Sequence, residues 1–194
     1  MKYDALKALV DLSAVVRLQK HVLADLKTAF PFISIIEPYS GQFGQEGVRK
    51  TSGGAHAIYL TALAAPGSKP NAAGDRTHDV SLTAYVLAVD VSKIDRSDAA
   101  FAIAEKIGEL AHFKRWTGWT GRLSYADDIK ISRIASEALN SRGACLVAVS
   151  WSQSVGVGKD QFANPPGTPD RLVSMEIGGF IINGDDAREG QDNG

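Results

Sequence analysis

The sequence predicts an α+β fold: a mixed, mainly antiparallel sheet of about five strands with two helices packed on one face, plus an extended C-terminal arm. Three observations carry this. Two stretches repeat apolar residues at three- and four-residue spacing, the mark of amphipathic helices. Several runs alternate apolar and polar residues with period two, as half-buried strands do. Beyond Ser154 the composition turns to Gly and Pro, with eight glycines in residues 156–194. Both helices need an apolar surface to cover, and the strands supply it.

The first long helix is expected over Ala14–Phe30. Val15, Leu18, Val22, Leu26 and Ala29 form its stripe, Ser13 is the expected N-cap, and Pro31 stops it because the residue before a proline is pushed out of helical geometry. A shorter helical turn is expected over Tyr3–Val10. The β-branched run Phe32–Ile36, closed by Pro38, reads as a strand, and the five glycines of 41–54 make that stretch a loop. Ala55–Ala64 and Val80–Val91 alternate over matched lengths and are joined by the turn-rich Pro66–Asp75, which predicts a long antiparallel hairpin. A second helix follows with Ser97 as its cap, Asp98 at its positive end and Phe101, Ala104, Ile107 and Ala111 on its inner face. Ile129–Leu139 fits a strand, although Ala135–Leu139 contains helix formers. Asn140–Gly143 suits a hairpin turn into a strand over Ala144–Gln153. The domain boundary falls at 155/156: an α+β domain over 1–155 and an extension over 156–194, whose last dozen residues are expected to be mobile.

The 194 residues carry 21 Lys plus Arg against 22 Asp plus Glu, a net charge of −1. That balance argues against a protein that lives by coating DNA or anionic membrane. A single cysteine excludes a disulfide framework within the chain and suits a reducing compartment. No apolar run reaches the ~20 residues of a membrane span, so the expectation is a soluble chain made in a cytosol, with no membrane partner.

Chemistry-bearing patterns are sparse. None of His21, His56, His78 and His112 stands three or four residues from another His or Cys, the spacing that puts two donors on one metal. His21 and His112 lie on helix flanks and read as solvated or packing residues. His78-Asp79 opens a strand, and an imidazole oriented by its neighbour would be the seed of an active site, but no nucleophile motif accompanies it. Ser154–Asp160 looks like a phosphate loop, yet Gln153 stands where the first glycine belongs and Asp160 where Ser or Thr belongs. Cys145 alternates with Val147 and Val149 on a core face, the place of an inert thiol. Trp116 and Trp119 could stack bases, but only Lys114, Arg115 and Arg122 lie near them, too few for a basic groove. Packing against the helix end or another subunit is the plainer reading. No cofactor, metal or catalytic residue is assigned, and the expected role is binding or architecture.

The opening helix, the strand Ile33–Ile36 and the segment Tyr39-Ser40-Gly41-Gln42-Phe43 resemble the Mu-like phage family that supplies the tail terminator of contractile-tailed phages. In that family a helix leads to a strand and a Tyr-x-Gly-Gln-[Phe/Leu] segment, then a pair of long strands, a second helix and a final hairpin. The likeness covers roughly residues 14–153. The extension after Ser154 and the insertion Trp116–Gly121 depart from it. The resemblance implies a virion structural protein at the tail–neck junction, assembled in the host cytoplasm. It forms a homohexameric ring that caps the head-proximal end of the tail tube, stops polymerisation and meets the neck. Its implied partners are itself, the tube protein, the sheath protein and a neck or connector protein, with genomic DNA only passing through. Interface candidates are Tyr39, Gln42, Phe43, Trp116, Trp119, Leu172, Ile177 and Phe180. The long hairpin is the candidate for lining the channel or pairing with a neighbour, and the extension for draping over an adjacent protein. The alternatives are another neck or head–tail connector protein, a small-ligand-binding α+β enzyme using His78-Asp79, and a single-strand nucleic-acid binder using Trp116 and Trp119.

Overall fold

Ser13 divides the N-terminal apolar run into two helices, α1 (Lys2–Leu12) and α2 (Ala14–Ala29). Its backbone is extended, and its Oγ accepts from the Val16 N–H at 3.4 Å, relieving one of the unpaired donors of a helix start. The expected short turn is thus a full α1 of 11 residues. The computed structural model describes residues 2–39, 55–64, 69–70, 76–113, 115–135, 139, 141, 143–157, 174–177 and 180–183. They form two compact units, residues 1–158 and 159–194.

In the first unit the sheet runs β1-β2-β4-β6-β5, with β1 (Ile35–Pro38) parallel to β2 (Ala57–Ala64) and the remaining pairs antiparallel. The fold is α+β with a mixed sheet. The long hairpin is present as β2 against β4 (Arg76–Val89), and β3 (Lys69–Pro70), inside the stretch read as a turn, pairs with β4 at its start. β6 (Ala144–Val157) matches β4 residue for residue over 14 positions, from Arg76↔Val157 to Val89↔Ala144. It continues two residues past the expected 155/156 boundary, because Gly156 and Val157 still find partners in Thr77 and Arg76.

Three local expectations shift. β1 begins at Ile35 rather than Phe32 and takes in Pro38; the Tyr39 N–H donates to the Leu60 carbonyl at 2.7 Å, so by alternation the missing donor of Pro38 faces away from β2 and costs no bond of that ladder. The second helix, α3 (Arg96–Phe113), starts before Ser97: the Asp95 carboxylate accepts from the Ser97 N–H at 2.7 Å and acts as the cap. β5 (Asp127–Ile134) stops five residues short of Leu139. Ile134 pairs with Leu146 and β6 begins at Ala144, so the ladder runs out, and Leu139 lies in helical backbone, 3% exposed.

Period-two alternation gives the sheet two distinct faces. Ile58, Leu60, Val80, Leu82, Ala84, Val86, Val147, Val149 and Trp151 point to the side covered by α2 and α3, whose Leu18, Val22, Leu26, Ala104 and Ile107 complete one core. Both helices therefore lie on one face. Cys145 belongs to this core and is 1% exposed, as its alternation required. The opposite face is not bare: at one end Ala57, Leu87, Ala144 and Leu146 are buried together with Leu139, and further along it Thr83 is 4% exposed.

The second unit contains β7 (Ser174–Ile177) and β8 (Phe180–Asn183), paired antiparallel with Met175↔Ile182 and Ile177↔Phe180 in register. Leu172 and the acidic tail lie outside the described residues.

Candidate interaction surfaces

Among the described residues no group of three or more His, Cys, Asp or Glu stands close enough to hold a metal ion, and no helix is long and apolar enough to cross a membrane. Three features of the surface and its supports bear on function: the strap after α3, the open face of the sheet, and α1.

The strap is the Trp116–Gly121 segment, for which the sequence offered no role. Arg17, His21 and Asp25 recur every four residues and so share one face of α2. That face holds the strap. The Thr117 N–H donates to Asp25 Oδ2 at 2.9 Å, and His21 Nδ1 lies 2.9 Å from the Thr117 carbonyl, to which it must donate. Arg17 Nη2 reaches Thr120 Oγ1 at 3.2 Å, while its Cζ stands 5.2 Å from the Trp119 ring centroid. His21 meets the Trp119 ring edge-on at 5.6 Å. Gly118 and Gly121 have positive φ, 75° and 105°, and let the strap turn back on itself.

Trp116, expected at an interface, is a core residue with 1% exposure. Its indole N–H donates to Gln153 Oε1 at 2.8 Å; the Trp151 indole donates to the same oxygen at 3.2 Å, and Gln153 Nε2 donates to the Ser124 carbonyl at 3.1 Å. Bonding of this kind offsets the cost of burying these polar groups. Trp116 is therefore a pin between the strap and β6, with no face left for a base or a partner. Trp119 is half-buried against Arg17 and His21, and its indole nitrogen has no hydrogen-bond partner. The signal for the strap was available in the four-residue spacing of Arg17, His21 and Asp25, which reads equally well as a solvated helix face until the loop is seen on it.

On the open face, strand register builds rows: Tyr59↔Tyr85↔Ala148↔Ser132, Thr61↔Thr83↔Ser150↔Lys130, Ser81↔Ser152↔Asp127 and Asp79↔Ser154. From Ala57 to Thr61 on β2, Asp79 to Val89 on β4 and Ala144 to Ser154 on β6, Asp79 alone is charged among the residues on this side. Tyr39 joins the face, its ring centroid 6.4 Å from that of Tyr59 and 5.3 Å from that of Tyr85. Sequence reading picked out Tyr39 but not its two tyrosine neighbours, which only the β2–β4 register brings together. Gln42 and Phe43 lie outside the described residues. Ile177 and Phe180 are a register pair in the β7–β8 hairpin.

His78 and Asp79, consecutive on β4, occupy opposite faces of the sheet. The Asp79 carboxylate accepts a short bond from the Ser154 hydroxyl across the ladder, and His78 Nδ1 is buried without a hydrogen-bond partner. The orienting contact between them that an active site would need is not made.

α1 completes the set. From Tyr3 to Leu12 every residue is exposed, and it touches the rest of the unit through α2. No family model matches the chain, and no curated protein matches it.

Proposed function

We propose that the chain is a structural subunit of a phage tail: a tail terminator that caps the head-proximal end of the tail tube as a ring, stops its polymerisation and joins tail to neck. The observation that carries the reading is the asymmetry of the sheet. One face is sealed by α2 and α3, while the other carries half-buried tyrosine and hydroxyl rows, Thr83 being only 4% exposed, with a single charge, Asp79, over the breadth of β2, β4 and β6. A surface of that kind meets a passing polyanion without adsorbing it, because nonspecific nucleic-acid affinity comes from cationic contacts to phosphate. This is what the wall of a genome channel requires. The order of elements, α2, β1, the β2–β4 pair, α3 and the β5–β6 hairpin, is also the order that the resemblance in residues 14–153 implies.

The physical demand on a terminator is simple. A tube grown by head-to-tail stacking remains open until something binds its last ring and offers no equivalent face. The test is co-assembly: purified protein added at low ratio to polymerising tube protein should shorten the tubes and appear by electron microscopy at one end only. Unchanged tube lengths with bare ends sink the reading. Binding to a neck complex without any effect on tubes would instead make the chain a connector.

A further inference from the structure

Two connections in the sheet join parallel strands, and the geometry of one constrains the other. β4 and β5 both run antiparallel to β6, so they are parallel to each other, and α3 joins them on the core face. β1 and β2 are the other parallel pair, joined through residues 40–54. In the order β1-β2-β4-β6-β5 both connections step the same way across the sheet, yet β2 points opposite to β4. Crossovers between parallel strands are right-handed almost without exception. Two crossovers of one hand that step the same way on oppositely directed strands must lie on opposite faces. With α3 on the core face, the face left for residues 40–54 is the open one.

Two further observations agree. Thr83 stands on that face two strands in from the β1 edge and is 4% exposed. Its row neighbours are Thr61 and Ser150, and along its own strand it lies between Ser81 and Tyr85. Thr61, Ser81 and Ser150 stand no taller than Thr83 and cannot close over it, and Leu139 packs at the Leu87 end of the face. Tyr39, the last described residue before the connection, already has its ring over this face, 5.3 Å from that of Tyr85.

We propose that residues 40–54 return to β2 across the open face, against Tyr59, Tyr85 and Thr83. A partner approaching the β1–β2–β4 side of this face then meets that segment before it meets the sheet. A parallel connection needs a dozen or more residues, and 40–54 supplies them. The charged residues of the segment are Glu46, Arg49 and Lys50, which balance when Asp79 is added, so the near-neutral character of this side is kept. The inference goes beyond the terminator reading and does not draw on it.

Thr83→Cys and Ser132→Cys put a reporter thiol at a buried and an exposed position of the same face, and the native Cys145 is buried at 1% exposure. With a water-soluble maleimide, Thr83→Cys should react at least about tenfold more slowly than Ser132→Cys. The difference should be the same in the full chain and in a chain stopped after Gly158. Protection lost on that truncation assigns the cover to residues 159–194 and overturns the proposal, as does equal labelling at the two positions. In the native full chain, nuclear Overhauser contacts should join the Thr83 methyl and the Tyr85 ring to protons of residues 40–54. Contacts to 65–75 or 159–194 in their place, or to none of these, overturn it. So do contacts seen only between differently labelled chains, which would make the cover a second copy. Both measurements use the chain without tube protein, so failure here leaves the tube-capping test standing, and failure of that test leaves this placement standing.

Discussion

Replacing Gln153 by Ala should be among the most damaging single changes in this fold. Its Oε1 is the acceptor for two indole N–H groups on side chains 1% and 2% exposed, Trp116 and Trp151. Each orphaned buried donor costs about 1–3 kcal/mol, and the amide's own bond to Ser124 is lost as well. A fully buried long side chain also leaves a void. Water entering the void would satisfy part of the lost bonding, so the expected destabilisation is about 3–5 kcal/mol. At ~2–4 °C per kcal/mol for a domain of this size, the melting point falls by roughly 6–20 °C. Urea unfolding followed by tryptophan fluorescence and far-ultraviolet circular dichroism measures it, and an unchanged denaturant slope shows that stability alone has moved. Gln153→Leu, which keeps most of the volume but supplies no acceptor, separates the two causes and should remain costly. Combining Gln153→Ala with Trp116→Phe, which removes one of the stranded donors, should recover about 1–2 kcal/mol relative to additivity. A loss below about 1 kcal/mol for Gln153→Ala, or strict additivity in the pair, would refute the pin.

Other outcomes follow from neighbouring contacts. Asp25→Ala removes the acceptor of the Thr117 N–H and should cost about 2 kcal/mol, with a shift in Trp119 emission as the strap loosens; Asp25→Asn, keeping an acceptor oxygen, should recover roughly half by the same unfolding assay. A stop after Gly158 should leave the melting point of the first unit unchanged, whereas a stop after Ser154 removes Val155, which is fully buried and bridged to Leu123, and should lower it by several degrees in calorimetry. Gly156→Ala places a Cβ 3.2 Å from Arg122 Cβ beside the Gly156 N–H bond to the Arg122 carbonyl, and should cost about 1 kcal/mol in the same measurement.

Period-two alternation made the β2–β4 hairpin and the core face of β6 legible, because one side of each strand is sealed and a one-residue slip would expose it. Apolar spacing found α2 and α3 for the same reason. The boundaries that moved were decided by partners rather than by propensity. β6 runs to Val157 because β4 reaches back to Arg76, and β5 ends at Ile134 because β6 starts at Ala144. The cap of α3 passed from Ser97 to Asp95, two residues that are both good caps, so composition could not choose between them. Trp116 was read as packing against the helix end or another subunit, and named as an interface candidate, because a local run of Trp, Thr and Gly carries no periodicity to choose between the two. Its burial depends on Gln153, 37 positions away, and a polar residue in an alternating strand gives no notice that it serves two indoles. The tyrosine cluster depends likewise on the Tyr59↔Tyr85 register.

The two edges of the sheet bear on how such a subunit could end a polymer. A protein that joined its neighbours by adding strands would carry a fresh edge into every assembly, and a fresh edge is a template for further growth. Here the β5 edge is bent by its bulge and lined with Asp127, Asp128, Lys130 and Arg133, and the β1 edge is short and closed by Pro38. Under the capping reading, association would be confined to surfaces that are used up when occupied, as a sheet face is consumed by what lies against it. Straightening β5 by deleting Asp128, so that the bulge is removed and Lys130 comes into register, would restore a growing edge. Under the capping reading that variant should form extended polymers by electron microscopy while the native chain stops at a closed ring. If both stop at the same size, the blocked edges have no part in termination.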